Sequence, residues 1–121
     1  MSKPLSLAEK LIQAHLLADE PMTPGRELQL KVDQVLLQDA TGTLTMLALE
    51  AMNLDRIKVD VACQYIDHNL LQADYRNRDD HVFLQSAAGR FGLHFSVPGT
   101  GVSHPVHMER LGVPGTVLAG S

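Results

Sequence analysis

The sequence predicts one α/β domain in which a short, mostly parallel sheet is flanked by helices. Three observations support this fold class. Apolar segments typical of strands alternate along the chain with amphipathic segments at helical spacing. The 121 residues are enough for one hydrophobic core and too few for two. With 45% apolar and 20% charged residues, the composition is that of an ordinary globular protein.

The charge and hydropathy of the chain exclude several classes of function. A net charge of -4 without a basic cluster argues against a general binder of nucleic acid or of a membrane surface. The sequence has neither a signal-peptide pattern nor 18 consecutive apolar residues, so we expect a cytoplasmic protein. The single cysteine, Cys63, excludes an internal disulfide and cannot by itself supply the thiolates of a zinc or iron–sulfur site.

The first predicted elements are a helix and a strand. Ser6 and Glu9 form a capping-box pattern, because the hydroxyl and the carboxylate can bind free backbone N–H groups at a helix start. An apolar stripe then predicts a helix over residues 7–17. Alternation over residues 28–32, extended by an apolar run over residues 35–37, predicts the first strand.

A second helix and a second strand follow. Residues 38–43 are polar and turn-forming, and they are expected to be a hinge from which Thr41 or Thr43 caps the helix. Helical spacing places five apolar residues on one face of that helix: Leu44, Leu47, Ala48, Ala51 and Met52. Alternation over residues 57–63 predicts a half-buried strand.

The last third of the chain repeats the alternation of helix and strand. A third helix is predicted over residues 79–90, and Gly92 is its expected C-terminal stop. A short strand over residues 93–95 precedes a brief helix that Ser103 can cap and that reaches about residue 111. Residues 116–119 are predicted to form the final strand.

Polar side chains follow the predicted strands and define a candidate site. Asp67, His68 and Asn69 follow the second strand, residues 38–41 follow the first, and His104 lies after the third. The carboxyl ends of parallel strands meet at one edge of the sheet, which is where open α/β sheets bind ligands. The sequence therefore predicts that these three groups converge.

Simpler interpretations remain open at this stage. Residues 38–43 are also typical of cap and turn chemistry alone. His68 can simply be a structural histidine whose hydrogen bonds are satisfied by Asp67 and the neighbouring backbone. His104 and His107 have the i, i+3 spacing of two imidazoles on one helix face, which is compatible with a histidine-based metal module.

Three motifs in matching order and spacing resemble the aconitase family of hydro-lyases, in particular its compact bacterial aconitate hydratases. They are Asp-Gln-Val-Leu-Leu-Gln-Asp-Ala-Thr at residues 33–41, Tyr-Ile-Asp-His-Asn at 65–69 and Pro-Gly-Thr-Gly-Val-Ser-His at 98–104. The resemblance implies that residues 1–121 are the N-terminal part of a three-layer α/β domain. In the family an Asp-Ser-His motif follows directly, so we expect a single, partial domain that is truncated just before it.

The activity that the resemblance implies is the conversion of citrate to isocitrate through cis-aconitate. One iron of a 4Fe-4S cluster would act as the Lewis acid on the departing hydroxyl. His68 would protonate that hydroxyl, Asp67 would orient the imidazole, and His104 would support the proton transfer. The resemblance assigns contact with the tricarboxylate substrate to three residues: Gln38, Asp39 and Thr41.

The departures from the family pattern limit what this chain is expected to do alone. The family's three cluster-ligating cysteines, its serine base and its substrate-binding arginines all lie beyond residue 121, and Cys63 matches none of them. We therefore expect the 121-residue chain to hold no cluster or other metal, to be inactive by itself, and to self-associate or be marginally stable.

Other functional classes stay open. A stand-alone, non-catalytic module that binds a small anion or a partner protein is the main alternative. Within the family, the motif Gln-Asp-Ala-Thr at residues 38–41 favours aconitase over isopropylmalate or homoaconitate dehydratases, although the other two motifs resemble both branches.

Overall fold

A computed structural model describes residues 4–121 and confirms the predicted α/β fold class. Four parallel strands form one sheet in the order β3-β2-β1-β4. The elements in chain order are α1 (Leu7–Ala14), β1 (Gln34–Leu37), α2 (Asp39–Ala51), β2 (Val61–Tyr65), α3 (Arg76–Phe91), β3 (His94–Ser96), α4 (Ser103–Arg110) and β4 (Leu118–Gly120). Within the described part of the chain, each helix is too short or too polar to cross a bilayer.

The strand order places a topological switch at β1. The chain steps from β1 to β2 to β3 in one direction and then returns to the other side of β1 with β4. The helices α2 and α3 pack on one face of the sheet, whereas α4 contributes Val106 to the opposite face. In open α/β sheets the carboxyl ends of the strands at such a switch point, here β1 and β4, are the usual place for a ligand.

Side chains that alternate along β1 and β2 divide the core between the two faces. Leu37 and Ala62 lie in the cluster shared with α2 and α3, and Leu36 and Cys63 lie in the cluster on the α4 side. Because both faces are covered, β1 is buried as a nearly continuous run, which is the usual character of a parallel strand.

The N-terminal region confirms the predicted cap but corrects the predicted strand. Ser6 and Glu9 form both hydrogen bonds of a capping box, and α1 ends at Ala14. Residues 28–32 do not join the sheet. Leu30 makes only an isolated antiparallel bridge to Leu16, so the alternation there indicated a half-buried extended segment and not a strand of the sheet.

The helix α2 differs from its prediction in its start and in its buried face. It begins at Asp39, so the residues expected to be a hinge are its first turn, and Gln38 is its N-cap. The helix buries Gly42 and Met46 against the sheet and α3. The apolar face predicted from spacing lies outward, with Leu44 75% exposed.

Gly42 explains how closely α2 approaches the sheet. A Cβ atom at this position would lie 2.5 Å from Oε1 of Gln64, a fully buried side chain on β2. Even a methyl group there would require the amide of Gln64 to shift, so the first turn of α2 lies close against the carboxyl end of β2.

The remaining boundaries shift by a few residues. β2 begins at Val61 and not at residue 57, because Ile57 and Val59 contribute to the core from the preceding loop. The helix α3 ends as predicted at Gly92, which adopts the left-handed conformation with φ 81°. β3 and β4 each begin one or two residues later than expected.

Candidate functional site

The candidate site is built around Asp39, the first residue of α2. Its carboxylate is fully buried and accepts four hydrogen bonds. Oδ1 accepts from the backbone N–H groups of Asp67, at 3.1 Å, and His68, at 2.9 Å. Oδ2 accepts from the backbone N–H of Asn69, at 2.8 Å, and from Nε2 of His81, at 3.0 Å. One side chain thus ties the loop after β2 to the end of β1 and to α3.

These donors determine the charge on Asp39. Burial by itself raises the pKa of a carboxyl group, because it removes the charged form from water. The three backbone N–H groups and the imidazole of His81 outweigh that effect and lower the pKa of Asp39 below its usual value. The position at the N-terminus of α2 also favours a negative charge. Asp39 is therefore an ionised, fully hydrogen-bonded carboxylate.

Asp67 joins the second and third motifs. Its Oδ1 accepts from Nδ1 of His68 at 2.8 Å, and its Oδ2 accepts from the backbone N–H of Ser103 at 2.7 Å. Burial raises the pKa of Asp67, but the bonds from Ser103 and His68 outweigh it and lower the pKa. The prediction that Ser103 caps α4 is wrong, since the N-cap is Val102 and Asp67 supplies the missing acceptor from another loop.

The hydrogen bond between Asp67 and His68 defines which atom of the imidazole is available. An ionised carboxylate can only accept, so Nδ1 of His68 carries the proton in that bond. The opposite nitrogen, Nε2, is then the atom that can give or take a proton at the surface. The side chain of His68 is 45% exposed, whereas that of Asp67 is 4% exposed. The arrangement is a buried orienting carboxylate behind an accessible imidazole.

Two other predicted site residues lie at the same edge. The side chain of Gln38 turns back so that its Oε1 accepts from the backbone N–H of Ala40, which caps α2. Thr41 is exposed, and its Oγ1 lies 2.7 Å from Oγ of Ser121 just beyond β4. Gln38, which is buried, and Thr41, which is exposed, therefore lie at the carboxyl end of β1. Their predicted contact with substrate stays a prediction.

The histidines of α4 do not form the alternative metal pair. His104 is exposed, and its Nδ1 lies 3.2 Å from Oγ of Ser103. His107 is completely buried, with Nδ1 3.1 Å from the hydroxyl of Tyr65 and Nε2 3.0 Å from Oε1 of Gln34. Because both ring nitrogens of His107 have partners inside the protein, the interpretation of i, i+3 metal ligands is wrong. His104 remains beside the site, next to the residue that Asp67 binds.

The described residues do not fit a cluster-binding role. Ligand atoms of Asp39, Asp67 and His68 lie within 4.8 Å of one another, but the carboxylates already accept hydrogen bonds from the loop that carries the histidine. Cys63 is the only cysteine of the sequence, it is buried on β2, and burial raises the pKa of its thiol. A thiol held in its neutral form is a poor metal ligand.

One residue of the site was missed by the sequence analysis. His81 lies inside α3, 42 positions away from Asp39, and only 4% of the residue is exposed. No local pattern marks it, because a histidine within a polar helix resembles any solvated residue. The only available signal was its helical spacing to the buried Leu84, which places both on the inner face of α3.

Comparisons with known proteins show what the chain is similar to. A family model described as the aconitase family (aconitate hydratase) matches residues 9–121. The chain is 29% identical over 132 residues to a mitochondrial aconitate hydratase of Gracilaria gracilis and covers 17% of that protein's length. It is 30% identical over 135 residues to a probable mitochondrial aconitate hydratase of Caenorhabditis elegans, again covering 17%.

A third relative is similar at the same level. A probable mitochondrial aconitate hydratase of Dictyostelium discoideum is 31% identical over 133 residues. In each of these three alignments nearly the whole chain is matched, at 99% or 100%, and the chain spans 17% of the relative. The similarity therefore covers every element of the candidate site and a small part of each relative.

Proposed function

The chain belongs to the aconitase family, and we propose that it supplies one wall of the active site of an aconitate hydratase. The observation that carries this proposal is the Asp67–His68 pair, whose accessible Nε2 lies at the carboxyl edge of the sheet beside the switch point. The reaction would be the removal and return of water between citrate, cis-aconitate and isocitrate. The wall of the site would hold the group that protonates the leaving hydroxyl.

Each residue of the pair has a defined task in this proposal. His68 would deliver a proton from Nε2 to the departing hydroxyl and recover it during rehydration, because an imidazole changes its protonation state near neutral pH. Asp67 would keep the proton on Nδ1 and stabilise the imidazolium through the 2.8 Å hydrogen bond. His104, beside Ser103, would support the same proton transfer.

Gln38 would supply a donor to a carboxylate of the tricarboxylate substrate. Its Oε1 accepts from the backbone of α2, so the side-chain NH₂ is the group that can bind an anion. The nearby N-terminus of α2 adds a favourable field for negative charge. Thr41, at the same edge, would contact the substrate through its hydroxyl.

The cofactor of the proposed enzyme is a 4Fe-4S cluster that polarises the hydroxyl of the substrate. Its thiolate ligands would come from a longer polypeptide, because Cys63 does not fit that role. The length of the relatives supports this division, since the chain spans only 17% of them. We accordingly propose that the 121-residue chain alone holds no cluster and does not turn over substrate.

Two further points belong to the proposal. The exposed face of α2, with Leu44, Leu47 and Met52, supports self-association of the isolated chain. The relatives named above carry mitochondrial names, whereas the cytoplasmic location was expected from the lack of a signal-peptide pattern and of a long apolar run. The cytoplasmic location and the extent of the domain over residues 1–121 stay predictions.

The experiment is a hydratase assay that follows the absorbance of cis-aconitate. It compares the 121-residue chain with a longer gene product after anaerobic cluster reconstitution, and each with His68→Gln. We expect activity only in the longer protein and a loss of about 100-fold or more in kcat for His68→Gln. His94→Gln is the matched control, because His94 is exposed at the opposite, amino end of β3. Equal activities of the two variants would contradict the proposal.

A further inference from the structure

We propose that Asp39 is a positioning residue that holds the loop of residues 67–69 and thereby fixes the tautomer and direction of His68, with His81 holding Asp39 in turn. The inference deepens the proposed function and rests on it only for the chemical role of His68. The contacts themselves are independent of any reaction. A positioning role differs from the substrate contact that the family resemblance assigns to Asp39.

The loop of residues 67–69 is shaped around the carboxylate of Asp39. Three consecutive backbone N–H groups, from Asp67 to Asn69, point at one carboxylate at distances of 2.8 to 3.1 Å. Successive N–H groups that converge in this way form an anion-binding concavity. Here the anion is a side chain of the same protein. The concavity is filled, so it is not available to a small-molecule anion.

This concavity is connected to the imidazole of His68. The backbone N–H of His68 binds Asp39, while its ring binds Asp67. The backbone N–H of Asp67 also binds Asp39, so the residues at both ends of the imidazole–carboxylate hydrogen bond are anchored to the same carboxylate. If Asp39 no longer accepts, the two side chains lose the fixed backbone that keeps them at 2.8 Å.

His81 also binds the carboxylate of Asp39. Its Nε2 donates to Oδ2 of Asp39 at 3.0 Å from inside α3, and its side chain is 5% exposed. A carboxylate can otherwise turn about its Cβ–Cγ bond. The bond from His81 fixes the plane of the carboxylate so that each oxygen faces the correct N–H groups of the loop. Asp39 is therefore clamped between α3 and the loop.

The test uses nuclear magnetic resonance of the 121-residue chain, at a pH where imidazoles are neutral. Asp39→Asn keeps the shape but places an NH₂ group against N–H donors. We expect amide exchange at residues 67–69 to rise about tenfold or more. We also expect the ¹⁵N shifts of His68 to move from the Nδ1–H tautomer toward a mixture. Asp79→Asn, an exposed acid in the first turn of α3, is the matched control and should change neither.

A second pair of variants keeps the proposal testable if Asp39→Asn does not fold. His81→Leu removes the donor, and His81→Gln keeps an NH₂ group that can reach the carboxylate. The proposal predicts faster exchange and a mixed His68 tautomer in His81→Leu, with recovery in His81→Gln. A folded Asp39→Asn variant with an unchanged His68 tautomer would overturn it, as would a His81→Gln variant no better than His81→Leu. No readout involves turnover, so an inactive longer protein would leave this result unaffected.

Discussion

Two buried aspartates lie at the two ends of β1, and they have different tasks. Asp33 directly precedes the strand and accepts from the backbone N–H of Val117 at 2.9 Å, from Nε2 of His15 at 2.8 Å and from Nζ of Lys31 at 3.0 Å. Asp39 lies two residues beyond the last residue of the strand, Leu37. Both carboxylates cross-link segments that are distant in the sequence.

The difference lies in what each carboxylate holds. Asp33 binds His15, which follows α1, and Val117, which precedes β4, so it joins both segments to the amino end of the sheet. Its partners also include the cationic side chain of Lys31 at the surface. Asp39 holds the loop of residues 67–69, which carries the accessible imidazole of His68. The donors to Asp39 are mainly backbone N–H groups. The carboxylate at the amino edge joins segments of the fold, whereas the one at the carboxyl edge also holds the loop that carries His68.

Removing the carboxylate of Asp39 and that of Asp33 should lower the free energy of unfolding by different amounts. Asp39→Ala leaves several buried donors without an acceptor, and we expect a loss of about 3 kcal/mol in the free energy of unfolding. Asp33→Ala should cost less, because Lys31 is 56% exposed at its side chain and can be hydrated instead. Urea denaturation of the two variants measures the difference. A larger loss for Asp33→Ala would contradict the comparison.

A pair of helical glycines tests how tightly the turn that carries Asp39 is held. Gly42→Ala places a methyl group 2.5 Å from Oε1 of Gln64, and we expect it to destabilise the protein by about 1–3 kcal/mol. Gly89→Ala in α3 meets nothing within 4 Å and should stabilise the protein by about 1 kcal/mol through helix propensity. Thermal unfolding of both variants gives the sign of each effect. A tolerated Gly42→Ala would contradict a tight contact and show that the amide of Gln64 or the helix α2 can shift to admit the methyl group.

The dependence of the free energy of unfolding on pH should show how much the ionised carboxylate of Asp33, at the amino end of β1, stabilises the fold. The backbone N–H of Val117 and the side chain of Lys31 lower the pKa of Asp33 to about 2. A lowered pKa stabilises the fold above the unfolded value, about 3.9, and this contribution disappears as the pH falls toward 2. We therefore expect Asp33→Asn to flatten the loss of stability between pH 4 and about pH 2. Denaturation curves across that range measure it, and an unchanged slope would contradict the assignment.

Local signals in the sequence predicted several features of the fold correctly. The capping box of Ser6 and Glu9 and the stop at Gly92 depend on neighbouring residues, so the sequence shows them directly. The start of α2 was mispredicted because its N-cap is Gln38, and the preference for threonine caps pointed three residues too far along at Thr41, or five at Thr43. The alternation of Ile57 and Val59 was read correctly as burial but wrongly as a strand.

Most residues of the candidate site were predictable from the sequence, whereas most of the hydrogen bonds that connect them were not. Asp67 and His68 are adjacent in the sequence, so their hydrogen bond was foreseeable. The bonds of Asp39 to residues 67–69 span about 30 positions, and its bond to His81 spans 42. Such contacts depend on the strand order and on how α3 packs beside α2. A single sequence contains no local pattern for either.

The most direct test of the account measures kcat and KM of the longer, cluster-reconstituted enzyme carrying Asp39→Asn or Asp33→Asn, at a temperature where both variants are folded. We expect Asp39→Asn to lower kcat by about 100-fold with little change in KM, because His68 is misplaced and the substrate contacts remain. We expect nearly unchanged constants for Asp33→Asn. Equal effects of the two substitutions, or a purely KM effect of Asp39→Asn, would contradict the division between the two ends of β1.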